Sequence, residues 1–227
     1  MIPIKQYLLS SIGKKVVMAS TGLFLCVFLI EHIYGNILLY AGDDGSAFNE
    51  YSHSASHNII IRIVEIFLFA SIILHVLQAI IITRDNVKAR PIKYAVPTSH
   101  AGSSWFARNM GITGSIIFFF IVIHLYNFFL PYRIGTLPEN TTLAMITKAA
   151  FAGPYYWIIY VVGVTFLFFH LLHAFKSAFH TLGMNNKKYT PVWNIVGMGF
   201  AWLMWIGFIS FPILFHFGLA GNNIPTL

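Results

Sequence analysis

The chain has 227 residues, of which 57% are hydrophobic and only 9% are charged. An ordinary soluble domain is about 25% charged, so this composition excludes a soluble globular protein and a disordered chain. A polytopic membrane protein remains, because an apolar helix needs about 20 residues to cross the hydrocarbon. The net charge of +7 is typical of the charge asymmetry between membrane loops and does not indicate nucleic-acid binding.

Five apolar stretches, at about 15–40, 59–83, 108–130, 154–181 and 192–219, are each long enough to span a bilayer. They predict an all-α protein with five transmembrane helices, forming one membrane domain over residues 1–227. The first stretch has no small-residue cleavage site, so we interpret it as a retained span. The single cysteine, Cys26, excludes an internal disulfide, c-type haem attachment and Cys-ligated iron–sulfur or zinc sites within the chain.

The basic residues predict the orientation of these spans. Eleven of the 14 lysines and arginines fall on the side of the N-terminus, and only Arg62, Arg133 and Lys148 fall on the other side. Because cytoplasmic loops carry an excess of Lys and Arg, this asymmetry predicts a cytoplasmic N-terminus.

A short internal repeat places one histidine on each of the first four spans. Thr21-Gly22 precedes His32 by the same spacing with which Thr113-Gly114 precedes His124. Spans 2 and 4 carry histidines at matching positions, namely His75 and His170. Spans 1 and 2 therefore look like a faint copy of spans 3 and 4, as is common in membrane folds.

Counting 1.5 Å per residue from the span ends puts His32 and His124 in an outer layer and His75 and His170 in an inner one. The count separates the two layers by about 12 Å. Two imidazoles at one depth can hold a haem iron from both faces, and the core of a four-helix bundle suits such a cofactor. The four histidines therefore predict two b haems that transfer electrons, with helix–helix hydrogen bonding as the alternative role. Gly22 and Gly114 are small enough to let the inner haem approach.

At these residues the sequence resembles the five-helix dihaem cytochrome b anchor of succinate:quinone oxidoreductases, that is, succinate dehydrogenase or quinol:fumarate reductase. The matching segments are 21–32, 69–75, 113–126 and His170 with Gly183. The resemblance implies the same iron ligands: His32 with His124, and His75 with His170. Some fumarate reductases carry a glutamate two residues before the fourth ligand, where this chain has Phe168, so a proton route through that position is in doubt.

The resemblance also implies partners and a location. A flavoprotein subunit, which performs the dicarboxylate chemistry, and an iron–sulfur subunit would dock on the inner face. The expected quinone is menaquinone, and the expected location is a bacterial inner membrane. Such complexes often form dimers or trimers. The direction of the reaction, the side of the quinone site and the oligomeric state stay open.

Other polar residues are candidates for supporting roles. Haem propionates need hydrogen-bond donors near the inner end of the bundle. Four residues there qualify: Ser20, Arg108, Lys176 and His180. Their alternative role is to anchor the helices at the membrane interface. His173 could replace His170 as a ligand, although we favour a hydrogen-bonding role for it.

A quinone site needs a proton carrier near a haem edge. The outer candidates are Glu31, Glu65 and His53, followed by His57 and His216, and the inner candidates are Ser103, Trp105 and Arg108. The i,i+3 spacing of Arg62 and Glu65 also permits a purely structural ion pair. Asp43 and Asp44 lack the further oxygen ligands of a calcium loop, so we expect a solvated turn there.

Two other functions fit parts of the pattern. The chain could be a dihaem b subunit of a nitrate reductase or hydrogenase type of complex, but one ligand on each of spans 1 to 4, and none needed on span 5, favours the succinate/fumarate family. A haem-free proton-coupled transporter would use the histidines as relays. It would have broken, Gly/Pro-rich helices at its substrate site.

Overall fold

The computed structural model describes residue 6, residues 10–89 and residues 109–227. These residues form helices and contain no strand. In chain order the helices are α1 (Ser11–Ile37), α2 (Ser46–His57), α3 (Ile59–Ala89), α4 (Met110–His124), α5 (Leu130–Arg133), α6 (Leu143–Ala152), α7 (Tyr156–Thr181) and α8 (Thr190–His216). A 3₁₀ turn, Leu38–Tyr40, extends α1, and a π-helical turn, Leu125–Phe129, joins α4 to α5.

Five helical segments are long and apolar enough to cross a membrane, and we call them spans 1 to 5: Ser11–Tyr40, Ile59–Ala89, Met110–Arg133, Tyr156–Thr181 and Thr190–His216. The predicted all-α fold with five spanning helices is confirmed. Span 2 continues to Ala89, past the predicted end near residue 83. Hydropathy detects only the apolar part of a helix, whereas polar residues such as Arg84 and Lys88 continue the same helix. The five helices indicate a multi-pass membrane protein.

Spans 1 to 4 are neighbours in chain order, and span 4 packs on spans 1, 3 and 5. Spans 2 and 3 meet where Phe69 lies 5.2 Å from Phe129, between ring centroids. Spans 3 and 4 come close at Gly163, because this residue has no side chain. A β-carbon there would overlap the Phe120 ring. Span 5 packs against spans 4 and 1, on the outside of the four helices that carry the paired histidines.

The structure adds two helices, α2 and α6, in segments that the sequence left as polar connections. Both lie at the end of the bundle opposite the start of span 1. The Ala144 N–H of α6 donates to Asn49 Oδ1 of α2 at 3.0 Å. The Lys148 ammonium donates to the Ile224 carbonyl at 2.5 Å, and Ile224 itself is buried. We call α2, α6 and the segment 217–227 the cap, because together they cover this end.

Charges differ sharply between the two ends. Six of the seven acidic residues lie at or near the cap end: Glu31, Asp43, Asp44, Glu50, Glu65 and Glu139. The seventh, Asp85, lies at the opposite end and forms an ion pair with Lys14, with 2.6 Å between Oδ2 and Nζ. We call that opposite end the basic end, since it also carries Arg84, Lys88, Lys176, Lys187 and Lys188.

Candidate functional site: two histidine pairs in the bundle

The first pair lies nearer the cap. The ring centroids of His32, on span 1, and His124, on span 3, are 5.5 Å apart, with the rings at 87°. Phe28 stacks on the His32 ring at 5.2 Å, and Phe208 of span 5 lies 5.6 Å from it. This outer pair therefore lies in an aromatic shell.

The second pair lies nearer the basic end. The ring centroids of His75, on span 2, and His170, on span 4, are 6.3 Å apart, with the rings at 69°. In span 4, His170 is thus the histidine that faces His75. The neighbouring Phe168 is buried and packs against Trp202 and Trp205 of span 5. The position that carries a glutamate in some fumarate reductases therefore faces away from the pair.

The spacing within each pair suits one metal ion between two rings. Two metal–nitrogen bonds of about 2.0 Å and two ring radii of about 1.1 Å give about 6 Å between centroids. Across the described ranges, no three His, Cys, Asp or Glu side chains form a group that could hold a metal ion. Two protein ligands per centre fit a macrocycle that supplies the other four donors, as haem does.

A hydroxyl fixes the second ring nitrogen of two of these histidines. Thr21 Oγ1 lies 3.2 Å from His75 Nδ1 and gives its one proton to the Val17 carbonyl at 2.8 Å. In this arrangement the hydroxyl can accept a hydrogen bond from His75 Nδ1–H. That tautomer leaves the Nε2 lone pair free for a metal. Partners of this kind orient metal-binding histidines and raise their basicity.

The outer layer has a similar contact. Tyr160, buried on span 4, brings its hydroxyl to 3.3 Å from His124 Nδ1. The sequence did not single out Tyr160, although it holds a signal: Tyr160 precedes His170 by ten residues, as Glu65 precedes His75. The repeat therefore marks both positions.

The contact between Thr21 and His75 allows a second count of the distance between the layers. Thr21 lies beside His75, and eleven residues along the same helix lead to His32. At 1.5 Å per residue this is about 17 Å, compared with the 12 Å predicted from the span ends.

The two glycines of the repeat have different surroundings. A β-carbon at Gly22 would lie 3.2 Å from His75 Cε1, so glycine lets the ring pass close to span 1. At Gly114 a β-carbon would meet no described atom within 4 Å. The space beside Gly114 is therefore open, and the approach of a haem to either glycine stays a prediction.

The propionate candidates are dispersed. Ser20, Lys176 and His180 are exposed towards the basic end. Lys176 lines a cavity of about 210 Å³ between spans 4 and 5, together with Trp193. Arg108, and the inner quinone candidates Ser103 and Trp105, lie outside the described residues.

Of the proton-carrier candidates, Glu65 has the most defined surroundings. Arg62 donates to both of its oxygens, at 3.1 and 2.9 Å, and Arg133 Nε of span 3 lies 3.8 Å away. Thr21 of span 1 faces His75 of span 2. Towards the cap, His32 lies eleven residues from Thr21 and Glu65 lies ten residues from His75, so Glu65 and His32 lie at about the same level. Glu65 therefore lies at the depth of the outer pair, where spans 2 and 3 meet.

The other candidates stand apart from Glu65. Glu31 is exposed and accepts a 2.5 Å hydrogen bond from the Tyr51 hydroxyl of α2. Burial, then the hydrogen bond to Glu31 and its charge, raise the pKa of Tyr51, so the phenol stays a neutral donor. His53 is exposed and stacks on His57 at 4.1 Å.

His216 belongs to the packing of span 5 against its neighbours. Its ring stacks on Trp157 at 4.5 Å, and its Nδ1 lies 3.2 Å from the Phe151 carbonyl.

Comparisons of the chain with protein-family models, with curated proteins and with solved structures found no match. The arrangement of residues described above therefore carries the functional argument.

Proposed function

We propose that this chain is a dihaem cytochrome b that conducts electrons across a membrane as the anchor subunit of a succinate:quinone oxidoreductase. The observation that carries the proposal is that four histidines from four helices meet as two pairs, with ring spacings of 5.5 and 6.3 Å. His32 and His124 would hold one haem b, and His75 and His170 the other. Each haem supplies a one-electron iron couple whose axial positions are both filled, which favours electron transfer over oxygen chemistry.

The choice of complex rests on the resemblance described above and on ligand placement. One histidine from each of spans 1 to 4, with none from span 5, favours the succinate/fumarate family over nitrate reductase or hydrogenase subunits. Spans 1, 2 and 4 run without the breaks that a transporter site uses. The flavoprotein and iron–sulfur partners would dock at the basic end, which would face the cytoplasm.

For the quinone we propose a site at the cap end, with Glu65 as proton acceptor. Glu65 is a carboxyl group held by Arg62 and Arg133, and such a group can take a proton when a quinol is oxidised and return it when a quinone is reduced. Glu31 and His53 are the alternatives. Electrons between this site and the basic end cross the membrane potential, which involves about 2.3 kcal/mol per charge per 100 mV.

The first test is the haem content of the purified chain, measured by pyridine haemochrome. The parent should hold two b haems per chain. His32→Ala and His124→Ala should each lose the same haem, and His75→Ala and His170→Ala the other. His53→Ala, which alters an exposed histidine outside both pairs, should keep two.

A parent protein made with haem available that binds none would refute the proposal. If the haems bind, succinate added to the complex with its partners should reduce them. Haems that stay oxidised with succinate but respond to another electron donor would reject the choice of complex while keeping the dihaem assignment.

A further inference from the structure

The inner pair is unequally supported. His75 Nδ1 has the Thr21 hydroxyl at 3.2 Å. His170 Nδ1, by contrast, is buried and has no hydrogen-bond partner in the part of the chain that the structure describes. A buried polar nitrogen without a partner is unfavourable and calls for an explanation.

The register of spans 3 and 4 identifies the residue opposite His170. Phe120 packs on Gly163, and His124 faces Tyr160, so the two helices run antiparallel with a known alignment. Seven residues from Phe120 towards the basic end lead to Thr113, and seven from Gly163 lead to His170.

Thr113 also lies on the correct face of its helix. It shares the stripe of Ile117, Phe120 and His124, spaced by four, three and four residues, and this stripe faces span 4. Its exposed fraction is 0%, so the hydroxyl is inside the protein. Its proton goes to the Met110 carbonyl at 3.2 Å. The oxygen therefore keeps lone pairs that can accept, as Thr21 does for His75.

The internal repeat makes the same assignment independently. Thr21 and Thr113 are equivalent residues of the two Thr-Gly pairs, and His75 and His170 are equivalent histidines. We propose that Thr113 is the positioning residue of His170 and accepts a hydrogen bond from Nδ1–H once Nε2 binds the haem iron, a contact that the two side chains do not make in this structure. This proposal rests on the proposed function. It means that each Thr-Gly pair orients one histidine of the inner layer, leaving Nε2 to the iron.

Loss of such an acceptor makes the imidazole a weaker base and so raises the reduction potential of the iron it holds. Thr113→Val removes the hydroxyl at nearly constant volume. In the purified complex we expect it to keep both haems and to shift the oxidised-to-reduced ratio of the inner haem by up to tenfold, which is 59 mV for one electron. Redox titration with optical detection, and the EPR g values of the oxidised inner haem, measure the effect.

Three further variants sharpen the test. Thr113→Ser restores a hydroxyl and should return the potential towards the parent value. Thr21→Val should raise the same potential, because it acts on the other ligand of the same haem. Thr147→Val removes a buried hydroxyl that donates to the Leu143 carbonyl in α6. Because α6 lies at the cap end, away from the inner pair, this variant should leave the inner haem unchanged.

The outcomes separate this inference from the proposed function. A parent with two haems and a Thr113→Val variant with unchanged potential and g values would overturn the role of Thr113 alone. If Thr113→Val loses the inner haem, restoration by Thr113→Ser supports the hydroxyl's role, and failure of Thr113→Ser to restore it overturns that role. A parent without haem rejects the proposed function itself.

Discussion

The Tyr160 hydroxyl lies 3.3 Å from His124 Nδ1, across the interface of spans 3 and 4. The Tyr160 side chain is only 4% exposed and is surrounded by rings, including Phe120 at 5.1 Å and Phe151 at 5.0 Å between centroids. Packing thus fixes the phenol, and the phenol fixes the imidazole. One contact links the helix interface to the outer pair.

Tyr160→Phe should therefore act on the outer haem alone. Removal of the hydroxyl deprives His124 of its partner, so we expect the outer haem's potential and EPR signal to shift while the inner haem keeps its values. The free energy of unfolding should fall by about 1 kcal/mol, as for one lost hydrogen bond. Tyr156→Phe, at the exposed start of the same helix, is the control. An equal shift of both haems would argue against this local role.

The close approach of spans 3 and 4 at Gly163 should hold His124 and His170 in position, one in each layer. Gly163→Ala places a β-carbon where the Phe120 ring lies, so spans 3 and 4 must separate. We expect overpacking to cost about 1–3 kcal/mol of unfolding free energy and to lower the content of both haems. Thermal unfolding and haem content per chain measure this.

The matched control is Gly111→Ala, because a β-carbon there meets nothing within 4 Å among the described atoms. Alanine is the better helix former by about 1 kcal/mol. Gly111→Ala should therefore be neutral or stabilising. Similar destabilisation by both variants would mean that Gly163 has no special steric role.

Glu65→Gln tests the proton acceptor proposed for the quinone. We expect both haems to remain and quinone-linked turnover to fall by about 10² or more, as general acid–base catalysis predicts. Glu31→Gln should have a smaller effect, because Glu31 is exposed and engaged by Tyr51. Glu139→Gln, in an exposed loop, is the control. If Glu31→Gln proves the more damaging change, the quinone site belongs beside span 1 and α2.

Asp43 should make the start of α2 sensitive to acid. Hydrogen bonds from the backbone N–H groups of Ala47 and Gly45, together with the Ser46 hydroxyl, lower the pKa of the Asp43 carboxyl. Because the folded-state pKa is the lower one, its stabilisation is complete above the unfolded value of about 3.9 and is lost as the pH falls through the folded value. Amide exchange in α2, corrected for intrinsic rates, should accelerate only below that range.

Asp43→Ala should remove this protection at every pH. Glu50→Gln, an exposed change within α2, should leave the pH profile as it is in the parent. A parent profile that is flat down to pH 3 would contradict the role of the Asp43 carboxylate in stabilising the start of α2.

The sequence is most informative where the signal is local. It located the five spans through hydropathy, and it assigned His32, His75, His124 and His170 to two layers through residue counts from the span ends. It missed α2 and α6, because short helices that cover one end of a bundle have neither the length nor the apolarity of a span. It also missed Tyr160, since a tyrosine inside an apolar run looks like ordinary packing until its neighbour across the interface is known.

The sequence by itself determined how many helices are long and apolar enough to span a membrane, how charge divides between their ends and which histidines lie at the same level. These properties follow from composition and from residue counts along one helix. Only the tertiary structure decided which faces meet: His124 with Tyr160, Glu65 with Arg133, and Thr21 with His75. The reason is that the rotation of each helix about its axis is set by packing between distant segments, such as Phe120 against Gly163.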